Sequence, residues 1–194
     1  MRPDQSLPPD YFEGMFKADP DPWRFETSAY EQAKYDRTIA ALAGRRYDRA
    51  LEVGCANGVL TRRVADHAGD LVALDVSDSA LARARARCAG LETVSFSRAS
   101  FPAEAPAGAF DLILLSEVVY YWSDADIVLA GQRIDAALAP GGDVLLVHWI
   151  GETDYPQTGD EAVAKLADAI SAPFQAARSE RTDRYRLDLW RRAP

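Results

Sequence analysis

The stretch Leu51-Glu-Val-Gly-Cys-Ala-Asn-Gly58 decides the fold, because a short β-rich run ends there in a glycine-rich turn that leads directly into a helical pattern. Gly54 permits a tight turn, and Gly58 lets the start of the following helix pack closely. Ala56 leaves room for a ligand to approach the backbone, where a helix start offers N–H groups. An ordinary connection between a strand and a helix can carry the same glycines, so the interpretation depends on the sequence on either side.

Outward from this turn, short β-rich runs alternate with helical patterns. The runs lack polar alternation, which is typical of strands that are buried on both faces of a parallel sheet. Strands that alternate with helices form right-handed βαβ units. The predicted strands are 50–53, 70–74, 93–97, 111–115 and 143–148, and the predicted helices between them are 59–67, 79–88 and 125–138.

Two capping signals and a final pair of runs complete the predicted fold. Ser28 with Glu31, and Thr158 with Glu161, have the spacing of capping boxes that open helices. The last runs, 174–179 and 185–190, are predicted to form an antiparallel hairpin at the sheet edge. We expect a single α/β domain over residues 1–194: a doubly wound, Rossmann-like sheet of mostly parallel strands over 47–194, with an N-terminal helical lid over 1–46.

Asp75 indicates the class of ligand. It ends the second predicted strand 21 residues after Gly54, where a carboxylate can accept hydrogen bonds from ribose hydroxyls. An adenosine-bearing cofactor is therefore expected. A nicotinamide dinucleotide prefers a third glycine at position 59, which is Val59 here. S-adenosylmethionine has no phosphate and carries an ammonium group that an acid such as Glu52 can hold, so the residues favour it.

On these residues the chain resembles the class I S-adenosylmethionine-dependent methyltransferases. Residues 51–58 look like the first motif of that family, with Ala56 in place of the usual middle glycine, and Asp75 matches its ribose-binding acid. Phe110-Asp-Leu-Ile-Leu-Leu-Ser116 looks like the fourth-strand motif, and Leu138-Ala-Pro-Gly-Gly142 like the turn before the fifth strand. The resemblance implies S-adenosyl-L-methionine as the cofactor and S-adenosyl-L-homocysteine as the product.

One position departs from the family pattern. Ser100 stands where the family often has an acid that holds the adenine amino group, so the Ser100 hydroxyl and the backbone at Phe101 are expected to hold adenine instead. The cofactor-binding residues that the resemblance implies are Trp23, Glu52, Gly54, Cys55, Ala56, Gly58, Asp75, Val76, Ser100, Phe101 and Ser116. The Cys55 side chain itself is expected to fill a tight space rather than to react.

A narrower resemblance lies outside the core motifs. The segment from Asp21-Pro-Trp23 to Lys34-Tyr35 looks like the N-terminus of the nodulation N-methyltransferase family. Glu117-Val-Val-Tyr-Tyr121 and Asp154-Tyr-Pro-Gln-Thr-Gly-Asp160 are similar to the same group. The resemblance implies a small-molecule methyl acceptor and an N-terminal lid in which Trp23 covers the cofactor or the acceptor. A hydrophobic plug on the sheet is the alternative for Trp23.

The acceptor is expected after the fourth strand, where Tyr120 is the candidate for its pocket. His148 ends the fifth strand, and an imidazole there could take a proton near neutral pH; a structural histidine bonded to backbone is the alternative. Lys34 is expected to be a solvated helix lysine rather than a partner of the cofactor carboxylate. No carboxylate cluster typical of Mg²⁺-dependent O-methylation is visible in the sequence, so no metal is expected. N-methylation of an amine or amino sugar is favoured over O-methylation.

Composition and charge argue against several classes of partner. With 22 basic and 30 acidic residues, the net charge is −8, whereas nucleic-acid binders usually present a basic face. Six arginines crowd the last 17 positions, and we interpret them as a solvated hairpin balanced by Glu180, Asp183 and Asp188. No nucleic-acid partner is expected. No apolar run reaches the roughly 18 residues of a membrane-spanning helix, so no membrane partner is expected either.

The remaining expectations concern location and competing functions. Residues 1–10 have no apolar core of a secretory signal, and two cysteines are too few for a disulfide framework, so a reducing cytoplasm is expected. The leading hypothesis is an S-adenosylmethionine-dependent methyltransferase of a small molecule. A cofactor-binding module without catalysis and a nicotinamide-dependent oxidoreductase remain the alternatives. The acceptor and the oligomeric state stay open.

Overall fold

The computed structural model describes residues 2–194, and the contacts within the chain divide it into two compact units. The first unit comprises residues 8–100 and contains the N-terminal helices and the first three strands. The second unit joins the N-terminal residues through Leu7 to residues 101–194. Met1 lies outside the described residues.

The first unit consists of parallel strands connected by helices. Its strands follow the order β3-β2-β1, and both neighbouring pairs are parallel. Leu71 and Ala73 in the middle strand are fully buried, which is why the sequence of this region lacks polar alternation. The elements are α1 Pro9–Ala18, α2 Ala29–Ala41, β1 Tyr47–Val53, α3 Val59–Val64, β2 Ala68–Asp75, α4 Asp78–Arg87 and β3 Val94–Arg98.

The second unit carries the rest of the parallel pattern and the C-terminal hairpin. Its strands follow the order β4-β5-β7-β6; β4 and β5 are parallel, whereas β7 is antiparallel to both of its neighbours. Its elements are β4 Phe110–Ser116, α5 Asp124–Ala137, β5 Leu138–Trp149, α6 Gly159–Ala169, β6 Phe174–Arg181 and β7 Tyr185–Arg192. The predicted hairpin at the sheet edge is confirmed.

The helix starts follow the predicted capping chemistry. The hydroxyl of Ser28 accepts the N–H of Glu31, and Thr158 and Glu161 form a complete capping box. Lys34 was expected in solvent, and this expectation is wrong. Its side chain is 3 % exposed, its Nζ lies 2.9 Å from a carboxylate oxygen of Glu31, and it lies over the ring of Tyr30.

The fifth strand begins earlier than predicted. Leu138 already pairs with Phe110, the register then shifts, and the ladder resumes where Asp143 pairs with Leu112. The motif 138–142 is therefore an irregular opening of the strand rather than a turn that precedes it. The predicted helix over 59–67 is also shorter in its α-helical part, because α3 ends at Val64 and a 3₁₀ turn follows.

The arginine-rich C-terminus is used for ion pairing within the second unit. Arg181 and Arg186 both pair with Asp160, and Arg191 contacts the buried carboxylate of Asp143 at 2.8 Å and 3.0 Å. Asp143 and Asp160 were not among the expected partners. No helix within residues 2–194 combines the length and the apolar character that a bilayer span requires.

Candidate functional site

The glycine-rich turn after β1 doubles back across the end of β2. Gly54, Ala56 and Gly58 have φ values of +78°, +49° and +80°, so three of five consecutive residues are left-handed, a conformation that glycine adopts without steric cost. The N–H groups of Gly54 and Cys55 both donate to the carbonyl of Leu74 at 2.8 Å. These two hydrogen bonds fix the turn against the end of β2.

Gly58 and Cys55 show how closely this turn is packed. A Cβ on Gly58 would lie 2.8 Å from the Cα of Ala84 in α4, so only glycine fits without a shift of backbone. The Cys55 side chain is buried in a cluster with Ala73, Leu81 and Ala84. Burial raises the pKa of its thiol well above the ordinary value, so Cys55 does not offer a ligand a thiolate.

Asp75 joins the turn after β1 to the loop after β2. Its Oδ2 accepts the N–H of Ala56 at 2.8 Å, and its Oδ1 accepts the N–H of Ser77 at 2.9 Å. Burial raises the pKa of Asp75 to about 6 although these backbone hydrogen bonds oppose the rise. Val76 follows in the same loop, and its carbonyl accepts a hydrogen bond from Nε of Arg98 at 3.1 Å. A carboxylate is thus presented at the end of β2, as the ribose hypothesis requires.

Glu52 is a buried carboxylate with an unmet hydrogen-bonding need. Glu52 is only 1 % exposed, and its Oε2 has no hydrogen-bond partner among residues 2–194. Burial raises the pKa of Glu52 to about 7; the nearby hydroxyl of Thr61 opposes the rise, and the negative charge of Asp75 adds to it. Buried polar atoms are nearly always paired, so an unpaired carboxylate oxygen beside a ligand turn fits the ammonium group of a cofactor. We call Glu52, Gly54, Ala56, Gly58 and Asp75 the cofactor cradle.

Helix α1 is fastened to the loop that follows Asp75. The carboxylate of Glu13 accepts the hydroxyls of Ser77 at 2.6 Å and Ser79 at 2.8 Å, and the N–H of Ser79 at 3.1 Å. These hydrogen bonds, that of Ser77 first, lower the pKa of Glu13 to about 2. Since Ser77 also donates to Asp75, the N-terminal helix and the ribose-binding acid share one loop.

A second fastening holds the loop between α1 and α2 to the glycine-rich turn. Asn57 is fully buried, and its Nδ2 donates to Asp21 at 3.1 Å and to Glu26 at 3.3 Å. Arg87 in α4 pairs with Glu26 and donates through Nε to the carbonyl of Asn57 at 2.9 Å. The N-terminal segment therefore touches both loops that form the cradle.

The other expected cofactor contacts fall at several places. The half-buried Trp23 stacks on Phe25 with ring centroids 5.5 Å apart and meets Phe16 edge-on at 5.6 Å. Ser100 is half-buried at the end of the first unit, whereas Phe101 belongs to the second unit and packs 5.7 Å from Trp122. Ser116 is half-buried at the end of β4. Their contacts with a cofactor stay predictions.

The turn after β4 holds the expected acceptor residue in a cluster of aromatic side chains. The hydroxyl of Tyr120 donates to Oε2 of Glu117 at 2.7 Å, and the N–H of Trp149 donates to the same oxygen at 2.8 Å. The Tyr120 ring stacks on Tyr155 at 5.5 Å and meets Tyr121 edge-on at 4.6 Å. We call Glu117, Tyr120, Tyr121 and Tyr155 the tyrosine cluster.

His148 lies next to this cluster, but its geometry is that of a positioning residue. It is fully buried, its ring centroid is 5.5 Å from that of Tyr120, and its Nε2 accepts the N–H of Val119 at 3.2 Å. A nitrogen that accepts a backbone hydrogen bond cannot at the same time take a proton from an acceptor. His148 therefore braces the turn that carries Tyr120, and its role as a base stays a prediction that this hydrogen bond opposes.

Three residues that the sequence interpretation left out contribute to the contacts of the cofactor cradle and the tyrosine cluster. Asn57 lies inside the first motif, and Glu117 directly follows the fourth-strand motif, so position in a motif could have singled them out. Glu13 has no such signal, because its partners Ser77 and Ser79 are more than sixty residues away. Within residues 2–194, no group of three or more His, Cys, Asp or Glu side chains is arranged to hold a metal ion.

Comparison with known proteins connects these features to one family. A sequence profile described as Nodulation protein S (NodS) matches residues 12–147. Nodulation protein S of Sinorhizobium fredii is 34 % identical over 127 residues, which are 64 % of this chain and 59 % of that protein. The chain thus spans somewhat less than two thirds of that relative. Nodulation protein S of Bradyrhizobium diazoefficiens is 32 % identical over 163 residues, 82 % of this chain and 76 % of that protein.

A solved structure supports the fold. The crystal structure of N-methyltransferase NodS from Bradyrhizobium japonicum WM9 in complex with S-adenosyl-L-homocysteine matches with a TM-score of 0.83 at 22 % identity. The match covers 95 % of this chain and 98 % of that one. At this identity the likeness concerns the fold, and it confirms the predicted Rossmann-like α/β class.

Proposed function

The chain belongs to the nodulation protein S family of S-adenosylmethionine-dependent methyltransferases, and we propose that it transfers the methyl group of this cofactor to the nitrogen of a small-molecule amine, such as an amino sugar. The observation that carries the proposal is the cofactor cradle: a buried carboxylate oxygen of Glu52 without a hydrogen-bond partner, beside a left-handed turn whose middle residue, Ala56, donates its N–H to Asp75. An ammonium group and a ribose diol would meet these two acids.

Glu52 and Asp75 divide the work of cofactor binding. Glu52 would hold the ammonium of the methionine part, because an oxygen buried without a donor gains most from a charged one. Asp75 would accept the ribose hydroxyls while its backbone hydrogen bonds keep the carboxylate in place. When bound, the cofactor supplies a methyl group that its sulfonium already activates.

The N-terminal segment would serve as the lid of this cradle. Glu13 fastens α1 to the loop after β2, and Asp21 and Glu26 fasten the following loop to Asn57 in the glycine-rich turn. A segment attached to both cradle loops can respond to the cofactor and exclude water. Exclusion of water and alignment of the reactants can together supply roughly 7–11 kcal/mol of the rate enhancement.

Charge at the tyrosine cluster supports nitrogen as the methylated atom. Burial raises the pKa values of Tyr120 and Tyr121 well above the ordinary value, so both phenols are neutral. Glu117 is the acid of the cluster, and a carboxylate attracts an ammonium group more strongly than a hydroxyl group. The relative whose structure is solved is described as an N-methyltransferase, which agrees with this preference.

One alternative has an observation in its favour. Tyr120 and His148 are both buried, as they would be in a module that binds the cofactor but has no open acceptor site. The test is incubation of the protein with methyl-labelled S-adenosylmethionine and a panel of amines, amino sugars and phenols. We expect label on a nitrogen of at least one amine, and loss of transfer in Glu52→Gln but not in the matched surface variant Glu92→Gln.

Calorimetry separates the remaining outcomes. S-adenosylhomocysteine is expected to bind with a micromolar Kd, about −7 to −8 kcal/mol, and NAD far more weakly. Cofactor binding without any methyl transfer would support the non-catalytic module. Comparable or tighter NAD binding would contradict the proposed cofactor.

A further inference from the structure

Thr61 is a buried helix residue whose hydroxyl lacks a hydrogen-bond partner. It is the third residue of α3, shortly after the glycine-rich turn, and it is fully buried. Its Oγ1 has no hydrogen-bond partner among residues 2–194. A buried hydroxyl without a partner destabilises the folded state, and valine has nearly the same shape without a polar atom. The presence of threonine at this position therefore indicates that its hydroxyl is used.

The backbone of α3 does not take this hydroxyl. A threonine in a helix ordinarily donates to the carbonyl three or four residues before it, which for Thr61 means Gly58 or Asn57. The carbonyl of Asn57 accepts a hydrogen bond from Nε of Arg87 at 2.9 Å. The carbonyl of Gly58 accepts the N–H of Arg62 at 3.1 Å. Both carbonyls have other donors, so the hydroxyl of Thr61 is left for an acceptor outside the backbone of its own helix.

Glu52 is the acceptor that this hydroxyl can serve. Its Oε2 is also buried and has no partner within residues 2–194. The hydroxyl of Thr61 is close enough to hold the pKa of the Glu52 carboxyl below the value that burial and the charge of Asp75 would otherwise give. Oδ1 of Asn57 is likewise buried and unpaired in this part of the chain, but a carboxylate accepts a stronger hydrogen bond than a neutral amide. All four residues belong to the first unit.

The titratable groups around Glu52 give its charge no support. Asp75 at the end of β2 is an acid, and its negative charge raises the pKa of Glu52. Burial raises the thiol pKa values of Cys55 in the turn and of Cys88 directly after α4, so both thiols are neutral near pH 7. Among the groups of residues 2–194 that act on the pKa of Glu52, Thr61 stabilises the carboxylate, whereas burial and Asp75 oppose it.

We propose that Thr61 is a positioning residue for cofactor binding, whose hydroxyl donates to the Glu52 carboxylate and holds it in place for the ammonium group of the cofactor. The inference rests on the proposed function, in which Glu52 binds that ammonium group. Thr61 acts through Glu52, on its charge and on its orientation. As pH rises through about 7, Glu52 loses its proton, and the affinity for a ligand with an ammonium group rises with it.

A pair of ligands isolates the contribution of Glu52. S-adenosylhomocysteine carries the ammonium group, whereas 5′-methylthioadenosine has the same adenosine and sulfur but lacks the amino-acid part. The ribose is common to both ligands, so the contribution of Asp75 cancels in the ratio of the two Kd values. Titration calorimetry between pH 6 and 8.5 measures this ratio, and its midpoint in pH reports the titration of Glu52.

Thr61→Val keeps the shape of the side chain and removes the hydroxyl. If the pKa of Glu52 then rises by about one, the Kd of S-adenosylhomocysteine increases about fivefold at pH 7 and less than about twofold at pH 8.5. The Kd of methylthioadenosine should not change at either pH. Thr61→Ser retains the hydroxyl and should restore the ratio and its midpoint. Thr93→Val makes the same substitution at an exposed position and should behave as the wild type.

Two results with Thr61→Val would overturn the inference. If the variant melts at a lower temperature but keeps the wild-type ratio at every pH, Thr61 is only a packing residue of α3. If both ligands weaken equally at every pH, the substitution damages the turn rather than the charge of Glu52.

Glu52→Gln tests the premise separately. If this variant has the same ratio of Kd values as the wild type, Glu52 does not hold the ammonium group. The cofactor contact of the proposed function then fails, and the role of Thr61 fails with it. If Glu52→Gln loses the preference for S-adenosylhomocysteine while Thr61→Val keeps it, the proposed function stands and the role of Thr61 alone is wrong.

Discussion

Replacing Asp75 with Asn is expected to weaken cofactor binding and, at neutral pH, to stabilise the cofactor-free protein. Burial raises the pKa of Asp75 from 3.8 to about 6. The folded state therefore holds its proton more tightly than the unfolded chain does. The stability that this group contributes is fully present below about pH 4 and is lost as pH rises through about 6.

The size of both effects can be worked out from these contacts. The pKa of Asp75 is about two higher in the folded state than in the unfolded chain, which corresponds to roughly 3 kcal/mol of stability. The wild type has lost this stability at pH 7.5, whereas a variant with the uncharged Asn does not lose it. Asn offers one oxygen where Asp75 has two, so either Ala56 or Ser77 loses an acceptor for its N–H, at a cost of about 1 kcal/mol. The variant should be about 1–2 kcal/mol more stable, which raises Tm by about 2–8 °C in a chain of this size.

Cofactor affinity should move in the opposite direction. The contact of a charged carboxylate with ribose hydroxyls is worth roughly 1.5–3 kcal/mol, so the Kd of S-adenosylhomocysteine should rise at least about tenfold. Scanning calorimetry at pH 4.5, 6 and 7.5 measures the stability, and titration calorimetry measures the affinity. Asp78→Asn is the matched control, because the side chain of Asp78 is 71 % exposed.

Either half of the reasoning can be refuted separately. If Asp75→Asn is less stable than the wild type at pH 7.5 and keeps the same slope of stability against pH, the buried charge does not cost what its environment indicates. If the affinity for S-adenosylhomocysteine is unchanged, Asp75 is not the ribose-binding acid.

Three further predictions concern the lid and the turn. Hydrogen exchange should slow over residues 11–24 when S-adenosylhomocysteine binds, and unchanged exchange there would show that this segment is ordinary core. Glu13→Gln should lower Tm by a few degrees at pH 7 and flatten the loss of stability in acid. Because the pKa of Glu13 is lowered to about 2, its carboxylate stabilises the folded state above about pH 4.5, and this stabilisation is lost as pH falls toward 2. If calorimetry shows the same loss of stability in acid for the variant as for the wild type, the prediction is contradicted. Gly58→Ala should lose at least about 2 kcal/mol and weaken cofactor binding, since its Cβ would lie 2.8 Å from Ala84. In a denaturant titration, Gly90→Ala, which has a similar φ but open space around it, should lose less, and equal losses would rule out the steric explanation.

The elements that could be predicted from the sequence are those whose signals are local. The glycine-rich turn, the acid at the end of β2 and the Thr158–Glu161 capping box each depend on residues a few positions apart or on a strand end. The expectation for Lys34 failed for the opposite reason. Helical spacing shows which residues share a face, but it does not show that this face is buried, where a lysine needs Glu31 as its partner.

The sequence by itself determined the order of strands and helices, the position of the cofactor turn and the family to which the chain belongs. The tertiary structure alone decided which distant side chains meet: Glu13 with Ser79 across 66 residues, Asn57 with Asp21 across 36, and Glu117 with Trp149 across 32. Backbone periodicity and turn chemistry are encoded over a few residues. Contacts between polar groups far apart in the chain exist only once packing has brought the elements together, and no spacing in the sequence records them.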